Sequence, residues 1–314
     1  MDLIKYLDIG QTALELGLVN SLTVLALFLS YSMLNVCDLS TDGSFTLGAV
    51  IGSMTALAGH SVLSLPAAMA AGAVSGFIVA TLQTRMGVQS LLAGIVVNTA
   101  LYSVNLAFTG NKPTLSMNKT VTVFTMAKDW LKDTPVSAQY KLIVLAVITA
   151  LAVLFLCWFL KTKLGLAIRA TGSNPDMMRS SSIDPTFTTT VGLCISNALT
   201  ALSGCLMAQQ QKNYDINMGT GMVTVALASL LIGGVFFGRH RPVPLRAVGV
   251  VIGAFLFRLV YALALRMNMP GFMLKAVSSA IVVIAISGPY LRWQLPLMLK
   301  RMNRGGRGGG PARA

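Results

Sequence analysis

Polar side chains set inside long apolar runs say most about what this chain can do. Asn98, Tyr102 and Asn105 recur at helical spacing on one face of such a run, Asn197 and Thr200 do the same in another, and Arg258 is the charge lying deepest in a third. These groups are costly in hydrocarbon unless they face protein, a cavity or each other. Two kinds of chemistry fit the spacing: hydrogen bonding to a polar solute moving along a pathway, or hydrogen bonding between helices that only holds a bundle together. Arg258 has three partners open to it: a solute carboxylate, Glu15, or a neighbouring protomer. Catalysis is poorly supplied. His60 and His240 have no carboxylate or cysteine at motif spacing, and no G-x4-G-K-[S/T] phosphate cradle occurs. Cys37, Cys157, Cys194 and Cys205 form no C-x2-C pair. Catalytic residues, a metal site and a cofactor are therefore not expected.

The elements that carry these residues follow from composition. With 54% hydrophobic and only 11% charged residues, the chain has lipid as its main solvent. Runs long enough to cross about 30 Å of hydrocarbon occur near 14–34, 43–60, 62–83, 88–109, 139–160, 187–208, 219–238, 243–266 and 270–291. The chain is read as all-α: a polytopic transmembrane helix bundle, one domain over 1–314, of about nine spans (roughly 8–10). The run at 43–60 is short and carries Ser44, Thr46, Ser53 and Thr55, so a broken or partly re-entrant helix is the alternative there. The start, MDLIKYLDIG, has no basic region or small-x-small site, and no cleaved signal peptide is expected.

The formal charge of +14 invites a nucleic-acid reading, which the distribution of the basic residues opposes. They gather at 161–179 (Lys161, Lys163, Arg169, Arg179), at 239–246 (Arg239, Arg241, Arg246) and in the tail 292–314. Short basic segments stay in the cytoplasm, and even numbers of spans separate the three, so one topology satisfies all of them. That topology puts the 110–138 loop outside, the Arg85 turn inside, the C-terminus in the cytoplasm and the N-terminus outside; a different reading of 43–60 would move the N-terminus in. The Gly/Arg-rich tail, RGGRGGGPARA, is expected to be disordered beside anionic lipid headgroups, with no nucleic-acid partner.

A duplication is visible. Asn20-Ser-Leu-Thr23 over Asn197-Ala-Leu-Thr200 keeps one offset to Asp38-Leu39 over Asp215-Ile216, with Gly43 and Gly221 following. Gly72-x3-Gly76 with Arg85-Met86 then resembles Gly249-x3-Gly253 with Arg266-Met267. The expected organisation is two four-helix repeats, at 14–110 and 187–291, the second inverted by the linking span 139–160. The glycines, including Gly48-x3-Gly52, are assigned to close helix packing.

The stretch 161–186 is a polar island. Asn174 is a good N-cap, Pro175 suits a first helical position and Asp176 favours the positive end, so a short helix is expected from Pro175 to Ser182. On these residues alone, lying on a membrane surface is the alternative. Leu164-Gly165, Arg169-Ala170, Gly172-Ser173-Asn174-Pro175 and Ser182-Ile183-Asp184 closely resemble the cytoplasmic coupling loop of bacterial ATP-binding-cassette importer permeases, in the group serving branched-chain amino acids, ribose and nucleosides. Asp38-Leu39-Ser40 with Gly43-Ser44 and Gly48-Ala49, and Gly219-Thr220-Gly221 with Leu231-Ile232-Gly233-Gly234, agree with that group, so the resemblance covers about 18–290. Thr41-Asp42 lengthens the first of these motifs, and the 239–246 loop is basic where many members are Gly-rich. Within the group the chain is most similar to tryptophan/tyrosine import permeases.

The resemblance implies a permease in the bacterial inner membrane that hydrolyses no ATP itself. Arg169, Gly172, Asn174, Pro175, Asp176, Arg179 and Asp184 would couple it to a separate ATPase subunit. A small polar solute, an aromatic amino acid in the nearest group, would be delivered by an extracytoplasmic binding protein, for which the 110–138 loop is the natural contact. Two permease copies are expected per transporter. An ion-driven secondary transporter is the alternative, and it lacks mid-span acids for a proton relay.

Overall fold

The computed structural model describes residues 2–118, 120–130, 132, 139–236, 241–266 and scattered positions between 276 and 287. Its helices are α1 (Asp2–Leu27), α2 (Thr41–Leu57), α3 (Ser64–Thr84), α4 (Ser90–Phe108), α5 (Val123–Trp130), α6 (Tyr140–Phe159), α7 (Lys163–Ser173), α8 (Pro175–Ser180), α9 (Pro185–Gln211), α10 (Met222–Phe236) and α11 (Val243–Arg266). A π-helical turn, Phe28–Met33, continues α1. The fold is not purely helical: β1 (Thr114–Ser116) and β2 (Asn213–Asp215) form an antiparallel ribbon with Leu115 opposite Tyr214.

Among the described residues, 6 helices are long and apolar enough to cross a membrane: Gly10–Met33, Ser64–Thr84, Ser90–Phe108, Tyr140–Phe159, Pro185–Gln211 and Val243–Ala264. Two of the expected spans differ. The run at 43–60 becomes α2, with 17 residues, and that at 219–238 becomes α10, with 15. The expected span 270–291 and the tail 292–314 lie largely or wholly outside the described residues. Burial also divides the helices. Pro185–Gln211 is 83% buried over its most apolar window and Tyr140–Phe159 only 28%, so α9 is the central post and α6 a peripheral one. Leu151, Leu154 and Trp158 of α6 are accordingly exposed, as lipid-facing residues are.

Small residues set how closely the helices approach. A Cβ at Gly72 would run into the Asn197 carbonyl of α9, one at Gly76 into that of Leu193, and one at Gly48 into that of Ala201. In lipid such backbone proximity supplies the dispersion contacts that hydrophobic exclusion supplies in water. The same contacts give direction. α3 is antiparallel to α9, since Gly72 meets Asn197 while Gly76 meets Leu193; α2 runs with α9, since Gly48 meets Ala201 and Gly52 meets Cys205. α11 is antiparallel to α1: Gly17 abuts Phe255, while Arg246 donates to Ser32 Oγ at 2.7 Å and lies over the Phe28 ring.

Two poles result. At one, Gly172 sits against the Met33 carbonyl and Leu34, and the Thr171 and Thr188 hydroxyls meet at 2.8 Å. This loop pole therefore holds α7, α8, the end of α1 and the start of α11. At the other, the ribbon pole, Val123 N–H donates to Gln209 Oε1 at 3.1 Å, Gln210 donates to Glu15 at 3.0 Å, and the Ser61 hydroxyl donates to the Val121 carbonyl.

Candidate functional site

The segment after α1 does not cross the bilayer. Beyond Leu34 it turns back, because Asp38 is fixed to α9: its carboxylate accepts from Asn197 Nδ2 at 2.7 Å, Ser40 N–H at 2.8 Å and Ser40 Oγ at 2.6 Å. Asp38 and Asn197 are each 1% exposed, so an anchor this polar stands in the protein interior, satisfied on every side. Asn197 lies near the middle of α9, and α2 therefore starts at mid-depth and runs toward the ribbon pole.

The start of α10 is fixed to the same place by Asp42, in the first turn of α2. Its two carboxylate oxygens accept from Gly221 N–H at 2.9 Å and Val223 N–H at 2.8 Å, capping α10 with an anion where the helix end is positive. Gly219 permits the contact, since a Cβ there would strike the Asp42 carbonyl and Thr46 Oγ1. α10 is antiparallel to α11, with Gly233 against Gly249 and Gly253 against Ser229, so it runs toward the loop pole. Two short helices thus diverge from one mid-depth point with their N-termini together.

A cleft of about 220 Å³ opens at that point, between α2, α4 and the loop before α10. Asp42, Thr46, Asn98, Tyr102, Asn105 and Asn217 line it, together with Gly43, Thr99, Ile216 and Thr220. The sequence-predicted trio Asn98, Tyr102 and Asn105 is therefore brought together here. Tyr102 is 52% exposed at the mouth, whereas Asn105 is 1% exposed, donates to the Gly43 carbonyl at 3.4 Å and leaves Oδ1 without a partner. Tyr214, two residues before the lining residue Ile216, is fully buried with its hydroxyl unpartnered; burial first, then Asp215 and Tyr102, push its phenol up to about 12, so it stays neutral.

The other predicted lining residues lie elsewhere. Asn197 is the Asp38 anchor, and Thr200 Oγ1 bonds back to the Ser196 carbonyl at 3.1 Å, as polar residues do when they serve helix packing. Arg258 lies on α11 with its guanidinium 5.6 Å from the Tyr261 ring centroid and Nε without a hydrogen-bond partner. Glu15 is engaged by Gln11 and Gln210 instead. Asp42 and Asp38 were the residues missed as site residues. Both stood in the Asp-Leu-Ser stretch already quoted, but nothing local marked the turn back to mid-depth.

The polar island forms two helices. Thr162 caps α7, accepting from Gly165 N–H at 3.2 Å, and α7 continues through Gly172 to Ser173. Asn174 Oδ1 caps α8, accepting from Met177 N–H at 3.1 Å, with Pro175 at its first position; α8 ends at Ser180, two residues short of expectation. Asp184 caps α9, accepting from Thr186 N–H at 2.8 Å. Arg169, Asn174, Pro175, Asp176, Arg179 and Asp184 are exposed, and Arg179 approaches Asp176 at 3.8 Å. Gly172 faces inward against Met33, so it seats the hook on the bundle. Between the polar groups, Leu166 and Met177 are 53% and 57% exposed while Met178 is buried.

A family described as "Branched-chain amino acid transport system / permease component" matches residues 12–286. A tyrosine transport system permease protein of Clostridioides difficile is 32% identical over 277 residues, 86% of this chain and 87% of that one. An uncharacterized protein of Rickettsia prowazekii is 33% identical over 74% of this chain and 79% of its own length. A ribose import permease of Escherichia coli is 24% identical over 69% of this chain and 65% of its own. No solved structure matches the chain at a significant level.

Proposed function

The chain belongs to the family of permease components of branched-chain amino acid transport systems, and on that premise we propose that it forms the solute path of an importer driven by a separate ATP-hydrolysing subunit. The observation that carries this reading is the α7–α8 hook: two capped helices leaving the bundle at one pole, with exposed apolar and charged groups side by side and the half-buried Gly172 seating them on the end of α1. A rigid projection of this kind transmits a push to the end of α1 and to α9. In this reading the loop pole is the cytoplasmic face, which accords with Lys161, Lys163, Arg169, Arg179 and Arg246 gathering there, and the membrane is the bacterial inner membrane. The ribbon pole, with β1, β2 and α5, receives a solute-loaded binding protein, and an aromatic amino acid is the solute suggested by the tyrosine permease relative.

The two-repeat organisation is part of the proposal. It is supported by reciprocal packing: α3 lies along α9 and α1 along α11, while α2 and α10 start together at mid-depth from corresponding segments, Asp38-Leu39 and Asp215-Ile216. Two copies of the chain complete the path. The cleft opens on the outer surface of a single copy at membrane depth, where lipid satisfies none of its polar groups.

Replacing Asn174-Pro175 with Gly-Gly, or Asp176→Lys, tests the coupling reading. Membrane insertion should persist while solute uptake and co-purification of the ATPase both fall. Unchanged uptake with unchanged co-purification removes the docking role.

A further inference from the structure

Resting on the reading of the cleft as part of the solute path, we infer that its floor is built to hold a protonated amino group, and that the solute it passes carries one. Asn105 Oδ1, an acceptor, and the Tyr214 hydroxyl, which can donate or accept, are both buried without a hydrogen-bond partner. Asn105 turns its amide nitrogen back to the Gly43 carbonyl and leaves Oδ1 unpartnered and buried. Asp42 accepts one backbone N–H on each carboxylate oxygen, which leaves each oxygen with further capacity. No Lys, Arg or His is among the residues lining the cleft, and Asp42 is the sole carboxylate among them. A second carboxylate, Asp215, adjoins the lining residue Ile216 and adds to the same sign; Lys112 and Lys212, in the segments flanking the ribbon, are not lining residues. The Tyr102 ring at the mouth offers a face to a cation.

Other solute groups fit worse. A carboxylate finds the free amides at the start of α10 already taken by Asp42. A neutral polyol adds nothing to the partial compensation that the positive end of α10 already gives the Asp42 carboxylate. An ammonium group adds a full opposite charge at Asp42, the sole carboxylate among the lining residues.

The test uses the purified full-length permease in lipid nanodiscs, with Tyr102→Cys in a background where Cys37, Cys157, Cys194 and Cys205 are replaced. Two water-soluble thiol reagents of opposite charge are the probes: trimethylammonium-ethyl and sulfonato-ethyl methanethiosulfonate, each rate divided by its rate with free mercaptoethanol. The cationic reagent should be favoured by about tenfold, the focusing expected of a one-sign cleft with low-dielectric walls. That preference should vanish with Asp42→Asn, which keeps an oxygen for the α10 cap, and fall with Asn98→Lys, which leaves the cap untouched. Should Asp42→Asn lose its monodisperse elution, Asn98→Lys decides. Equal corrected rates, or a preference that survives both substitutions, overturn the amino-group inference while leaving the path intact. Reaction with neither reagent shows a dry cleft and overturns the path reading itself.

Discussion

Asp38 and Asp42 stand four residues apart and do different work with the same group. Asp38 is wholly consumed by Asn197 and Ser40, which makes it an anchor; Asp42 retains acceptor capacity toward a cleft. Removing a partner from the first should be expensive. Asn197→Leu leaves a buried carboxylate short of a donor, at a cost of about 3 kcal/mol, and should lower the thermal inactivation midpoint of the detergent-solubilised protein; Thr200→Val, which loses only a bond to its own helix, should leave it nearly unchanged. The Asn174 cap is a surface counterpart. Asn174→Ala should weaken α8 by about 1 kcal/mol without shifting that midpoint, while Asn174→Ser restores whatever ATPase co-purification the alanine variant loses.

At the level of elements, the organising fact is that two helices are too short to cross. α2 and α10 each begin at mid-depth because a polar contact pins their starts there, Asp38 to α9 for one and Asp42 to the α10 amides for the other. Their N-termini concentrate positive dipole ends at a point where Asp42 supplies the compensating charge. The long helices hold this geometry through backbone proximity. Gly72→Leu should force α3 off the Asn197 carbonyl, costing on the order of 2 kcal/mol or more, and disturb the Asp38 anchor on the same residue; reduced protease resistance of the 58–64 segment would report it. Gly10→Leu, at a glycine with open space around it, should have no such effect.

On the scale of the whole molecule, the surface is of two kinds. α6 presents Leu151, Leu154 and Trp158 outward, an apolar face that lipid suits. α4 also presents Leu92, Ile95 and Val96 outward, but around Tyr102 the neighbouring Asn217, Thr220 and Asp42 make a polar patch that lipid does not suit. A second copy on that face is expected. A short bifunctional thiol cross-linker should therefore join two Tyr102→Cys copies in native membranes and fail to join two Leu154→Cys copies; the reverse outcome would place the contact on α6 instead.

Much of this was legible in the residues themselves. Membrane class, the long spans, the glycine contacts and the α8 cap follow from local rules, because chain length against bilayer thickness, a small residue every fourth position and an Asn-Pro-Asp start each act within a few turns. The Asn98, Tyr102 and Asn105 face was also readable, since one helix holds all three. The depth at which α2 and α10 begin was not: hydropathy counted both as spans, with a broken or re-entrant helix as the alternative only at 43–60, because an apolar run reads alike whether it starts at an interface or at mid-depth. Only the tertiary structure decided that Asn197 is hydrogen-bonded to Asp38, and that Asp42 lines the cleft. Those outcomes depend on which residue stands opposite across about 160 to 180 positions of chain, a relation that helix packing creates and that no local spacing encodes.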